Sequence, residues 1–168
     1  MILLTPARDF QPQILPQTVT RLDGEQLVIT FPKGWRAETD RKFVTAYAPA
    51  DVASARVQAY RGFKTMAAFE QWNFAAVNFI YRQAGGATLH VPYQQVGLGR
   101  RFTVNRLDIV IREYQDPGKL RYLGVACIQL RDVFVSVKYG SRWNAMAENR
   151  AIFQKSVTTV RWISKNLL

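Results

Sequence analysis

Histidine and cysteine occur once each in this 168-residue chain, as His90 and Cys127. A lone cysteine excludes an intrachain disulfide and a cysteine metal cluster. One His and one Cys also fall short of the usual three or four zinc ligands, unless several carboxylates join them. A single histidine works as a general base only beside a positioned nucleophile or carboxylate. No Asp, Glu, Ser or Cys motif near His90 announces such a partner, so it reads as an ordinary strand histidine. Acidic residues are few, 12 against 23 Lys and Arg. Asp23, Asp51, Asp116 and Asp132 fall in or beside turns, which is a structural use and leaves little for an acid-pair hydrolase. No apolar run reaches the roughly 18 residues that cross a membrane. Residues 1–4 are apolar, but Pro6, Arg8 and Asp9 soon break the run, and the layout of an export signal is missing. The chain reads as cytoplasmic as it stands, and as periplasmic if a signal segment has been removed. Internal repeats, low-complexity tracts and interdomain linkers are lacking too.

What is present is a foldable, basic sequence. Apolar residues make up 48% and aromatics 12%, which suits one domain with a real core and excludes disorder. The formal net charge is +11. That favours acidic partners, whether nucleic acid, anionic lipid or an acidic protein face. The excess is uneven: residues 1–84 carry 10 Lys/Arg against 7 Asp/Glu, and residues 85–168 carry 13 against 5.

Residues 1–22 hold Pro6, Pro12 and Pro16 and read as an extended arm, in which Ile14, Leu15 and Val19 offer an edge strand. Residues 23–168 then read as a single domain. Short β-rich runs predict strands at 26–31, 42–48, 54–60, 107–115, 121–130 and 133–139. Two apolar stretches, 65–84 and 143–160, predict helices. In the first, Thr65 is a natural N-cap, and Phe69, Trp72, Ala76 and Ile80 make one apolar stripe, with Phe74 and Phe79 off it. In the second, Phe153, Val157 and Val160 form the apolar face, after a cap at Ser141 or Asn144. The β-branched run Val157-Thr158-Thr159-Val160 weakens its end.

A tight link at Arg131-Asp132 sets Leu130 opposite Val133 and Gly124 opposite Tyr139, whose ring can cover the glycine. A turn at 116–119 sets Arg121 opposite Tyr114, with Arg112 on the diagonal. Both faces of these strands are apolar, so a layer is needed on each side, and two helices supply one each. The expected fold class is α+β: a three-layer α/β/α sandwich around a mostly antiparallel sheet. Cys127 lies in an apolar strand and reads as a small core hydrophobe.

Gly97-Leu98-Gly99-Arg100-Arg101 superficially resembles a phosphate cradle. It lacks the spacing and the Lys-Ser/Thr of a nucleotide loop, and it reads as a turn. Arg100, Arg101, Arg112, Tyr114 and Arg121 form a candidate partner-binding cluster, since Arg with Tyr contacts phosphates and stacks on bases. The structural alternative is an exposed Tyr114–Arg121 cross-strand cation–π pair, worth roughly 0.5–1 kcal/mol.

The stretch Leu27-Val28-Ile29-Thr30-Phe31-Pro32-Lys33-Gly34-Trp35 resembles the opening of the PsbP-like family, a short strand ending in Phe-Pro-x-Gly-Trp. That family includes photosystem II extrinsic proteins, a Ran-binding nuclear import factor, the bacterial lipoprotein DcrB and Eag-type chaperones of type VI secretion. The later layout is similar too: a strand, the helix at Thr65, a meander, and a closing helix at 149–162 bearing Phe153 and Val157. The resemblance implies an α/β/α sandwich and a non-enzymatic, protein-binding role without cofactor, as a bacterial adaptor or a secretion- or envelope-associated chaperone. The implied partner is a protein with an acidic or apolar face. The alternative is binding of nucleic acid or an anionic surface through the basic C-terminal half. No catalytic residue is carried over, and Trp35 is expected to pack locally.

Overall fold

Three consecutive strands that are largely apolar on both faces lie within one antiparallel sheet, as seen in a computed structural model that describes residues 13–14, 25–39, 43–85, 93–115, 121–141 and 146–164. His90 and the start of the second predicted helix lie outside the described residues. The chain runs β1 (Gln13–Ile14), β2 (Glu25–Val28), β3 (Thr30–Phe31), β4 (Arg36–Thr39), β5 (Phe43–Tyr47) and β6 (Ala53–Tyr60). Helix α1 (Met66–Gly85) follows, then β7 (Gln94–Val104), β8 (Leu107–Gln115), β9 (Tyr122–Leu130) and β10 (Val133–Ser141). Helix α2 (Met146–Thr158) and β11 (Arg161–Ser164) close it. Seven strands form one sheet in the order β4-β5-β6-β10-β9-β8-β7, and every described pair is antiparallel. Two small ribbons, β1 with β3 and β2 with β11, complete the pairing. The class is α+β around an antiparallel sheet.

Period-two alternation sorts the central strands into two cores. Leu107, Ile109 and Ile111 of β8 join Ile152, Phe153 and Val157 of α2 in one cluster. Val110 and Tyr114, from the same strand, join Phe69 and Phe74 of α1 in the other. Trp35 packs into the first cluster, stacked on Phe31 at 5.2 Å and on Tyr139 at 6.1 Å between ring centroids.

The β9–β10 register is the expected one, with Leu130 opposite Val133 and Gly124 opposite Tyr139. The cover on Gly124 differs. Phe153 of α2 lies over it, so close that a Cβ there would sit 2.6 Å from the ring. Tyr139 instead turns its hydroxyl to Asn149, donating at 2.7 Å. The β8–β9 register is shifted by two from expectation. Tyr114 faces Leu123, and Gln115 faces Tyr122. Burial of Tyr122, whose hydroxyl donates to Glu113 at 3.0 Å, starts β9 there and leaves Arg121 outside the ladder. The Tyr114–Arg121 pair therefore does not form, and Tyr114 is buried rather than exposed.

Three strands are absent from the sequence reading. Strands β4 and β7 are the two margins of the sheet, largely solvated, and their exposure leaves no clean apolar alternation. Strand β11 occupies residues expected to be helical. The β-branched run stops α2: the Thr159 hydroxyl accepts the Thr30 amide at 2.8 Å, and the chain turns to pair with β2. Gly97 and Gly99 lie within β7, not in a turn. Both have positive φ and form a bulge between Val96 and Arg100. Helix α1 is capped by Thr65 as expected, its hydroxyl accepting the Ala68 amide at 3.1 Å. Its buried face is rotated, however: Trp72 is 43% exposed, whereas Asn73 and Phe74 are buried.

Candidate binding cleft between helix α1 and strand β8

Strand periodicity decides where the five candidate residues go. Arg101 pairs with Val110 across β7–β8 and shares its face with Arg112 and Tyr114, toward α1. Arg100 pairs with Ile111 and so takes the opposite face, where it reaches Gln154 of α2 at 3.5 Å and lies 5.3 Å from the Phe102 ring centre. Arg121 lies elsewhere, at a shallow cavity of about 410 Å³ beside Tyr47, Asp51 and Ser54. The structure thus brings together Arg101, Arg112 and Tyr114, and separates Arg100 and Arg121 from them.

Where the three meet, α1 and β8 enclose an open cleft of about 600 Å³, lined by Glu70, Gln71, Phe74, Tyr93, Gln95, Arg112 and Tyr114 among others. One Arg101 guanidinium nitrogen holds both oxygens of Glu70, at 2.9 and 3.0 Å. The Arg112 guanidinium lies 4.1 Å from the centre of the Phe74 ring, a cation–π contact. Burial pushes the Tyr114 hydroxyl up from its ordinary value, and neighbouring Arg112 opposes this. The cleft therefore offers one cation on an aromatic support, a neutralised carboxylate and two phenol rings.

Two buried polar groups were missed. Glu113 sits on the apolar parity of β8, 5% exposed. Its carboxylate accepts from Arg150 Nε at 2.6 Å, Gln154 Nε2 at 2.7 Å and Tyr122 Oη at 3.0 Å. That anion stabilises the Arg150 cation, and burial followed by the Glu113 charge pushes the Tyr122 hydroxyl well up. The sequence signal was available: a glutamate at i+2 from Ile111 on an otherwise apolar face. Asn73 is the second. It donates to Cys127 Sγ at 3.1 Å and accepts from the Ser136 hydroxyl at 2.9 Å. Burial pushes the Cys127 thiol up to about 12, which keeps it protonated and inert. Among the described residues no three His, Cys, Asp or Glu side chains converge as metal ligands do.

A solved structure shares the fold. The chain is similar to the solution structure of cyanobacterial PsbP (CyanoP) from Synechocystis sp. PCC 6803, with TM-score 0.65 and 9% sequence identity, covering 94% of this chain and 95% of that one. The fold is PsbP-like. At that identity the likeness concerns the fold alone. A Bacteroides thetaiotaomicron protein aligns at TM-score 0.48 and 10% identity, over 83% of this chain and 46% of that one. No family profile matches the sequence. No curated protein matches it either. Within the PsbP-like fold the cleft lies where α1 crosses the sheet near its β7 margin, with Gln95 and Tyr93 at its rim.

Proposed function

We propose that this chain is a non-enzymatic protein-binding module, a three-layer α/β/α sandwich whose α1 layer and sheet receive a segment of a partner protein. In this reading it serves as a bacterial adaptor, or as a chaperone in envelope or secretion biology. The observation that carries the reading is the α1–β8 cleft: open, of about 600 Å³, with polar and aromatic walls. The deeply buried polar groups support it in another way. Glu113, Asn73 and Tyr139 each have hydrogen-bond partners within the fold, which is how a scaffold uses such groups.

The test is capture of a protein partner from lysate of the native host by the wild-type chain, compared with Ala75→Trp. Ala75 is exposed in the cleft wall, so the indole fills the cleft without disturbing the core. Loss of a stoichiometric partner with Ala75→Trp supports the reading. A catalytic turnover abolished by replacing one acidic residue would overturn it.

A further inference from the structure

We infer that the α1–β8 cleft is a carboxylate-binding site, in which Arg112 takes the carboxylate and Phe74, Tyr93 and Tyr114 hold an adjoining aromatic or apolar group. This rests on the binding role proposed above and names the chemistry it recognises.

The charges in and around the cleft divide cleanly. Glu70 is the acid lining the cleft, and Arg101 already neutralises it through both oxygens. It therefore neither competes for Arg112 nor strongly repels an entering anion. Arg112 makes no ion pair with any carboxylate among the described residues. Its cationic plane is supported at 4.1 Å by Phe74. Ring contact satisfies the face of a guanidinium, and beyond the hydrogen bond that Arg112 makes with the Tyr114 hydroxyl, further donors remain on its edge to meet a carboxylate. Arg112 is partly buried, so a bound anion would sit in a weaker dielectric than water, where a charge-assisted pair is stronger. The aromatic rings of Phe74, Tyr93 and Tyr114 line the same space. A ligand with a carboxylate next to an aromatic or aliphatic group matches both halves of the cleft, whether that carboxylate is the chain end of a peptide or an acidic side chain.

The experiment titrates the isotope-labelled full chain with hydrocinnamate and follows its backbone amide spectrum. Saturable shifts are expected at Tyr93, Gln95 and Tyr114. The neutral isostere hydrocinnamamide should bind at least about tenfold more weakly, because it cannot form the charge-assisted pair. Arg112→Gln should weaken hydrocinnamate by a similar factor, and Arg121→Gln should leave it unchanged. Arg112→Lys guards against a folding defect: it keeps the charge, loses the fork, and should bind with intermediate affinity. N-acetylphenylalanine and the α-amide of N-acetylglutamate separate the two sources, and preference for either supports a carboxylate site. Equal binding of acid and amide, or unchanged affinity in Arg112→Gln, would overturn the assignment. If every carboxylate fails while partner capture persists and remains sensitive to Ala75→Trp, this inference falls and the binding role stands.

Discussion

Gly124 occupies a place where a methyl group has no room. Its missing Cβ would lie 2.6–2.7 Å from three atoms of the Phe153 ring, and a ring pinned between Tyr122 and Tyr139 has little freedom to retreat. Gly124→Ala should therefore destabilise by about 1–3 kcal/mol, the usual cost of overpacking. The check is a lower urea midpoint at unchanged slope. Titration supplies a second prediction at this scale. Burial raises the folded-state values of the Tyr122 and Tyr139 hydroxyls above their ordinary 10.0, and that of the Cys127 thiol above 9.0. Each group favours the fold only while protonated. The contribution is complete below the unfolded values and is lost as pH climbs beyond them, at up to roughly 1.4 kcal/mol per pH unit per group. Lys138, lowered mainly by burial, works the other way over the same range, but alone. Denaturation midpoints should thus hold steady up to about pH 9 and fall steeply above about pH 10, less steeply in Tyr139→Phe. A midpoint that is flat into that range would contradict the buried phenols.

At the scale of elements, β7 shows how a glycine pair shapes a strand. Gly97 and Gly99 both have positive φ, but their surroundings differ. A Cβ on Gly97 meets nothing, whereas one on Gly99 would lie 2.8 Å from the Ile111 carbonyl oxygen. Gly97→Ala should cost only the left-handed backbone penalty, on the order of 1 kcal/mol. Gly99→Ala should cost distinctly more, and the order of the two thermal midpoints is the measurement. The Gly-x-Gly spacing looked like a turn because bulge and turn need the same φ, and only the partner strand distinguishes them. The central strands were readable because both of their faces are apolar. The margins β4 and β7 were not, because both of their faces are largely solvated and no buried parity marks them. The face of α1 was misread for a related reason. Asn73 is buried only because Cys127 and Ser136, 54 and 63 residues away, satisfy its amide.

For the whole molecule, the arginines of the candidate cluster do not gather into one basic face. Neighbouring Arg100 and Arg101 point to opposite sides of the sheet, Arg101 is neutralised by Glu70, Arg150 by Glu113, and Arg121 stands apart. A duplex or single strand needs several phosphate contacts from one surface. The chain should therefore bind a short oligonucleotide no more tightly than non-specific complexes do, roughly micromolar or weaker at physiological salt, as read by fluorescence anisotropy. A complex much tighter than that would favour the nucleic-acid reading.

Local pattern alone settled the class of this protein: alternating apolar runs can only be half-buried or buried strands, and the stretch ending in Gly34-Trp35 pointed to the PsbP-like fold that the structure shows. Tertiary structure decided which charged side chains meet. An arginine's partner is set by strand register and by helix crossing, and both depend on the burial of residues such as Tyr122 and Phe153. The β8–β9 register, two residues from expectation, carried Arg121 out of the cluster, and the packing of α1 on the sheet set Arg112 over Phe74, a geometry no spacing along the chain encodes.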